Sequence, residues 1–411
     1  MLEGAAEIAR LYGTFLSYAT VLVFIAIFVF KLRSKLRITQ WMRSNQKCFF
    51  TLLFLVSFAF VIRLPFIWAN EPSSDERYYI SASLLYMQGF SEGLGSSKFI
   101  ANFEHPPLVK YLLGLWLKPL FPNTNVDYGS LPSDNLLYYS RLFIVFIGSI
   151  SIVPLFLLAE KIKKGLGILS SVFFALSPSH ARMSGLTYLD VPMIFFGLCS
   201  MFFALRLLEK PNRKNLLISG IFTGLLLGTK WVQPILFIIP MVVLMLIQFR
   251  ISVFAKKVFC YVISLMVGFG VLIALWLPLI WRFGLNRILD FFLWVNSHWI
   301  PQYSSTKENS LLDIALWNMS IFEFGLFAFC FVIVFVFLAL DIKDKKVHYA
   351  RLLPIITAVV FLIAMQIERR GAVYYWTTIT PFESLIFAEA LCLLKNHVKV
   401  SHISKKTWFS S

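Results

Sequence analysis

The chain has 411 residues, of which 58% are hydrophobic and 14% charged, with mean hydropathy +0.75. A soluble domain is roughly half apolar and about a quarter charged, so this composition excludes an ordinary soluble domain and indicates an integral membrane protein. The net charge of +17 would suggest a nucleic-acid partner in a soluble chain. Here the cations lie between apolar runs, where they orient spans and meet anionic lipid head groups, so no nucleic-acid partner is expected.

A spanning helix needs about 20 mostly apolar residues. The first candidate runs from Tyr12 to Phe30. The ten residues before it are not basic and a basic stretch follows it, which opposes a cleavable signal peptide and places the N-terminus outside. Further spans are read at Cys48–Trp68, Tyr138–Ala159, Gly165–Leu176, Pro192–Leu207, Leu216–Gly228, Val232–Ile247, Val258–Ile280, Ile321–Leu340, Leu352–Met365 and Tyr374–Leu394. The expected fold is an all-α integral membrane protein with about 11 transmembrane helices, in the range 9–13 because two spans are short. Alternating loops test this count: Lys31 to Lys47, Lys161 to Lys164, Lys210 to Lys214, Arg250 to Lys257, Lys343 to Arg351 and Lys395 to Lys406 all fall on one side, the inner one. Carboxylates such as Glu71, Asp75, Glu76, Glu104, Asp127, Asp134, Asp190 and Glu368 fall outside.

Two outer segments are long, from about Asn70 to Leu137 and from Trp281 to Asn318, so reactive surface is expected there. The apolar stretches ISASLLYMQGF and PLVKYLLGLWLKPLF in the first are too short or interrupted to span and read as interfacial helices. Three units follow: residues 1–47 with an extra span and a basic loop, 48–235 with the motifs below, and 236–411 with the second outer loop (281–318) and a basic tail.

Four constellations carry chemistry. Asp75-Glu76 follows the second span, two adjacent carboxylates beside a membrane surface; Ser74 or Asp75 could equally cap a helix starting near Glu76. In Glu104-His105-Pro106-Pro107-Leu108-Val109-Lys110 the prolines fix the backbone at a helix start, with Lys110 one turn in. Asp190 stands before Pro192, which opens a span, and Arg182 lies upstream; an interfacial cap is the alternative. Arg63, Arg141, Lys230, Arg369 and Arg370 lie at the outer ends of spans, where cations mark a polar cavity or snorkel to the interface. Five at one level suit an anion such as a lipid phosphate, held by Arg and Lys, with a carboxylate to deprotonate an incoming hydroxyl. No metal is demanded, because cations can balance a leaving phosphate; Glu104, His105 and His298 are the residues that could meet on one.

The order of these motifs resembles the protein O-mannosyltransferases, glycosyltransferase family 39 of superfamily GT-C: Arg63, Asp75 and Glu76, EHPPLVK (Glu104 to Lys110), Arg141, ARMSGLTYLDVP (Ala181 to Pro192) and GLLLGTKW (Gly224 to Trp231). The resemblance implies GT-C architecture, a polyprenyl or dolichyl phosphate sugar donor, mannose as the sugar, and inverting transfer to a Ser or Thr hydroxyl of a secreted or membrane protein. Asp75 would be the general base, Glu76 would assist, and Asp190 would be a second acidic element. Arg63, Lys110, Arg141, Arg182, Lys230, Arg369, Arg370, Tyr374 and Tyr375 would serve the donor phosphate and lipid, with Glu104, His105, Pro106, Pro107 and Trp231 shaping the site. No cofactor is implied. The second outer loop has about 38 residues, too few for the soluble domain that eukaryotic members insert there, and it departs from the family's His- and Trp-rich pattern. A prokaryotic or archaeal type in the cell membrane is therefore expected, or the endoplasmic reticulum membrane in a eukaryote. The rival readings are the same fold and donor with a lipid or glycan acceptor, as in aminoarabinose transferases, and a transporter, which would need paired halves with broken helices at the bilayer midplane.

Overall fold

A computed structural model describes residues 46–103, 105–231, 233–247, 251–294, 321–343, 349–368 and 377–408. The first expected span, Tyr12–Phe30, lies outside the described residues. Helix α1 (Gln46–Arg63) continues into the short α2 (Phe66–Ala69) after Pro65, and α3 (Ser74–Glu92) and α4 (Leu108–Leu120) follow. Then come α5 (Asp134–Ile150), α6 (Ile152–Ile162), α7 (Leu166–Leu176), α8 (Pro178–Ser184), α9 (Asp190–Glu209), α10 (Arg213–Leu227) and α11 (Ile235–Ile247). The last are α12 (Ile251–Trp294), α13 (Ile321–Lys343), α14 (Leu353–Glu368) and α15 (Thr380–Trp408). The described residues are helical, without strands, and the protein is a multi-pass membrane protein.

Among the described residues four stretches are long and apolar enough to cross a bilayer: Cys48–Ala69, Asp134–Ile162, Asp190–Glu209 and Ala255–Asn286. The expected spans Gly165–Leu176 and Val232–Ile247 become shorter apolar helices of 11 and 13 residues. At 1.5 Å per residue an 11-residue helix covers about half of a bilayer core. The two stretches read as interfacial become α3 and α4, which pack on each other so closely that a Cβ on Gly114 would sit 2.5 Å from the Ser83 carbonyl oxygen.

Helix α9 is the central post: 83% of its most apolar stretch is buried, against 17% for Ala255–Asn286 on the periphery. Its two ends differ in chemistry. Asp190 stands at one end; at the other, Glu209 pairs with Lys161 at 2.5 Å, and nearby Glu389 binds Arg351 at 2.6 Å and Lys163 at 3.4 Å. Among the described residues, Lys161, Lys163 and Arg351 of the basic loops thus lie at the end of the bundle opposite Asp190, paired with carboxylates.

Helices α10 and α12 meet backbone to backbone. A Cβ added to Gly224 would lie 2.4 Å from the Gly268 carbonyl oxygen and 2.5 Å from the Val271 Cβ. Gly224→Ala is therefore expected to push the helices apart and to cost about 1–3 kcal/mol, read as a lower melting temperature in detergent. Gly270→Ala, which meets open space, should leave the melting temperature within a degree or two of the parent.

Candidate functional site

The site forms where the start of α3, the loop before α4, the segment before α9 and the turn after α10 converge. Helix α3 begins one residue earlier than a cap at Ser74 or Asp75 requires. Ser73 is the N-cap, and with Glu76 at the third position it forms a capping box: the Ser73 N–H donates to Glu76 Oε2 at 2.9 Å, and the Asp75 N–H reaches Ser73 Oγ at 3.4 Å. The pattern Ser-x-x-Glu at Ser73 to Glu76 was available in the sequence as the signal for this.

The two adjacent carboxylates have opposite fates. Glu76 is buried (1% exposed). Both of its oxygens are gripped by Arg141, at 2.9 Å from Nε and 2.7 Å from Nη2, and Oε1 also accepts the Thr187 N–H at 2.7 Å. Asp75 is half-buried on the exposed side of the first turn. Burial pushes its pKa up; Lys230, the Ser74 hydroxyl and Arg77 pull it back down, and Glu76 adds to the rise. Of the pair, Glu76 is thus held inside the protein by Arg141, Thr187 and Ser73, while Asp75 stays partly open to solvent.

The second carboxylate enters from α9. Asp190 is fully buried and caps nothing, since the N-cap position is Leu189. Its Oδ1 instead accepts a hydrogen bond from Lys230 Nζ at 2.8 Å, and its Oδ2 is buried without a hydrogen-bond partner among the described residues. Lys230 reaches this place because the Leu108 N–H bonds the Gly228 carbonyl at 3.0 Å, joining the Pro-Pro helix start to the end of α10. The same junction sets His105 beside Lys230. Burial, then Lys110, then Lys230 hold the imidazole well below its usual range, so it is neutral near pH 7. The His105 ring packs edge-on against Tyr79 at 5.5 Å, Pro106 and Pro107 are buried, and Trp231 packs at a tilt on Trp276 with ring centroids 5.0 Å apart.

Besides Lys230, three of the expected phosphate-binding cations are engaged inside the protein. Besides Glu76, Arg141 donates to the carbonyls of Ile67, Asn70 and Glu71 at 2.6, 2.9 and 3.1 Å. Arg63 is fully buried and donates to Ala59, Phe174 and Ala175 carbonyls, with His180 Nδ1 at 2.9 Å. Lys110 is also fully buried; its ammonium bonds the Asn102 and His105 carbonyls and lies 5.0 Å above the Tyr86 ring. It thereby pins a loop in which Asn102 holds φ at +51°, a conformation that asparagine tolerates better than most residues. A phosphate could displace none of these without uncovering buried carbonyls or a buried carboxylate. Arg182 is exposed. Arg369, Arg370, Tyr374, Tyr375, Glu104 and His298 lie outside the described residues.

The residues that sequence reasoning missed are Ser73, Tyr79, Thr187 and Tyr188. Only Ser73 carried a local signal; the others act through partners distant in the chain.

What this arrangement can do is take a proton at Asp75 beside a fixed ammonium, in a helical membrane protein. The fold is that of the GT-C membrane enzymes. It is similar to ArnT from Cupriavidus metallidurans bound to undecaprenyl phosphate (18% identity, 82% of this chain and 59% of that one, TM-score 0.57). It is also similar to the oligosaccharyltransferase AglB from Archaeoglobus fulgidus in complex with an inhibitory peptide and a dolichol-phosphate (13% identity, 90% and 52%, TM-score 0.58). In sequence, residues 96–293 match the family described as dolichyl-phosphate-mannose-protein mannosyltransferase. Dolichyl-phosphate-mannose–protein mannosyltransferase 5 of Saccharomyces cerevisiae is 28% identical over 138 residues, 31% of this chain and 19% of that protein. Over residues 96–293 the chain is thus similar to the dolichyl-phosphate-mannose-protein mannosyltransferases, the family its motifs resemble. It aligns with about a fifth of the yeast relative's length, and the family match begins after Asp75 and Glu76.

Proposed function

We propose that the protein is an inverting glycosyltransferase that moves a sugar, expected to be mannose, from a polyprenyl or dolichyl phosphate to a Ser or Thr hydroxyl of a protein, on the extracytoplasmic face of the membrane. The observation that carries this reading is the half-buried Asp75 carboxylate at the first turn of α3, close to the Lys230–Asp190 pair. Its support from outside the chain is the mannosyltransferase family match and two structural neighbours captured with polyprenyl or dolichol phosphates.

Asp75 takes the proton of the acceptor hydroxyl as the oxygen attacks the anomeric carbon. The bond from that carbon to the phosphate oxygen breaks from the opposite face, and the lipid phosphate leaves with the electron pair. Lys230 supplies positive charge beside the reacting groups without a metal, and Asp190 fixes its position. Because Arg63, Lys110 and Arg141 are engaged internally, the phosphate falls to Arg369 and Arg370 with Tyr374 and Tyr375, and to Arg182 at the surface. Neutral His105 and the Trp231 ring border the place where the sugar would lie.

The test is transfer by the purified, detergent-solubilised protein from radiolabelled polyprenyl-phosphate mannose to a Ser/Thr-rich peptide. Label on the peptide is the expected result. Label on a lipid or glycan acceptor would retain the donor and replace the acceptor, and no transfer from any polyprenyl-linked sugar would overturn the reading.

A further inference from the structure

We propose that Tyr188 is a positioning residue for the Asp75 carboxylate, acting through the hydroxyl of Ser73. The inference rests on Asp75 being the base of the proposed transfer. Asp75 sits on the first turn of α3, so its aim depends on how that turn is held. The Asp75 N–H reaches Ser73 Oγ at 3.4 Å, a long bond, whereas Tyr188 Oη and Ser73 Oγ are 2.5 Å apart. The Ser73 hydroxyl is therefore anchored by Tyr188 more firmly than by the helix it caps.

Tyr188 comes from the short segment between α8 and α9. One residue earlier, the Thr187 N–H donates to Glu76; two residues later, Asp190 holds Lys230. A single stretch of chain thus bonds the base-bearing turn twice, once through the Thr187 N–H and once through the Tyr188 hydroxyl, and carries the acid that fixes the ammonium beside the base. Packing alone does not require the hydroxyl, because the Tyr188 ring sits edge-on to Tyr79 at 6.3 Å and a phenylalanine would fill the same space. Burial pushes the phenol up to about 12, with Asp75, Glu76 and Asp190 adding to the rise, so it keeps its proton and stays a neutral hydrogen-bonding group.

Removing the hydroxyl leaves the other half of the capping box intact, since Glu76 still accepts the Ser73 N–H. Helix α3 should fold normally while its first turn gains freedom. A loosely held base costs rate and not binding.

The experiment uses the full chain in detergent with polyprenyl-phosphate mannose and the Ser/Thr peptide. For Tyr188→Phe, kcat is expected to fall about tenfold or more, with the donor KM within about twofold and the melting temperature unchanged. Ser73→Ala should show the same fall in kcat, and the double variant should lose little more, because both changes cut one connection. A wild-type kcat in Tyr188→Phe overturns the proposal. So does a fall in kcat accompanied by a lower melting temperature, or independent losses that multiply in the double variant. Retained activity in Asp75→Asn is a separate outcome: it removes the base itself, and the positioning role with it.

Discussion

Asp75→Asn is expected to lower transfer by about 10²–10⁴-fold, the range typical of a positioned general base, while the melting temperature stays near that of the parent. The amide keeps the size of the side chain and still fits a half-exposed first-turn position, but it takes no proton. The pH profile provides the complementary reading. Asp75 is held above the ordinary carboxylate value chiefly by burial, so the acid limb of kcat/KM should lie above the pH of a free aspartate. Activity is lost as pH falls through that raised value, because the protonated carboxyl cannot act as base. Lys230 is the largest opposing influence; Lys230→Met should therefore move the limb further up in pH as well as lower the maximum rate. Steady-state kinetics across pH would check both shifts, and a limb that moves down in Lys230→Met would contradict the assignment.

Arg141→Ala is expected to produce a large loss of stability. Removing one partner of a buried ion pair leaves an uncompensated charge and costs about 3–5 kcal/mol. Here the abandoned group would be Glu76, at 1% exposure, together with the Ile67, Asn70 and Glu71 carbonyls. Arg141→Lys should recover little, since one ammonium cannot reproduce a two-pronged grip on a carboxylate and three carbonyl bonds at once. Thermal melting in detergent, or the yield of monodisperse protein, would measure this. Glu76→Gln should be milder, because the amide oxygen can still accept and the guanidinium keeps its three carbonyls. If Arg141→Ala instead melts like the parent but fails to bind the lipid-phosphate donor, the ligand-binding role first read for this residue would be restored.

The contrast between these two variants shows how the site was only half legible in the chain. Asp75 and Glu76 are neighbours with the same chemistry, and nothing local says which faces the cavity. Helical rotation decides it: about 100° separates consecutive residues, so one carboxylate of an adjacent pair turns inward when the other turns outward. Ser73 as the cap sets that rotation. The cations were harder still. Arg63 binds carbonyls 111 and 112 residues away, and Arg141 binds a carboxylate 65 residues before it. A cation at the end of an apolar run looks the same in sequence whether it awaits a phosphate or closes the protein on itself.

The sequence by itself determined the membrane setting, the helical class, the positions of the longer apolar helices among the described residues and the order of the motifs. These rest on apolar length and on the segregation of basic loops, properties of short contiguous segments that a bilayer imposes regardless of what packs nearby. The tertiary structure alone decided which charges meet. It brought Lys230 from the end of α10 to Asp190 at the start of α9, hid Lys110 beneath His105, and tied Tyr188 to Ser73. The physical reason is that a charge near the apolar region must find a partner, and that partner is supplied by whichever helix end folds against it, not by its neighbours in the chain.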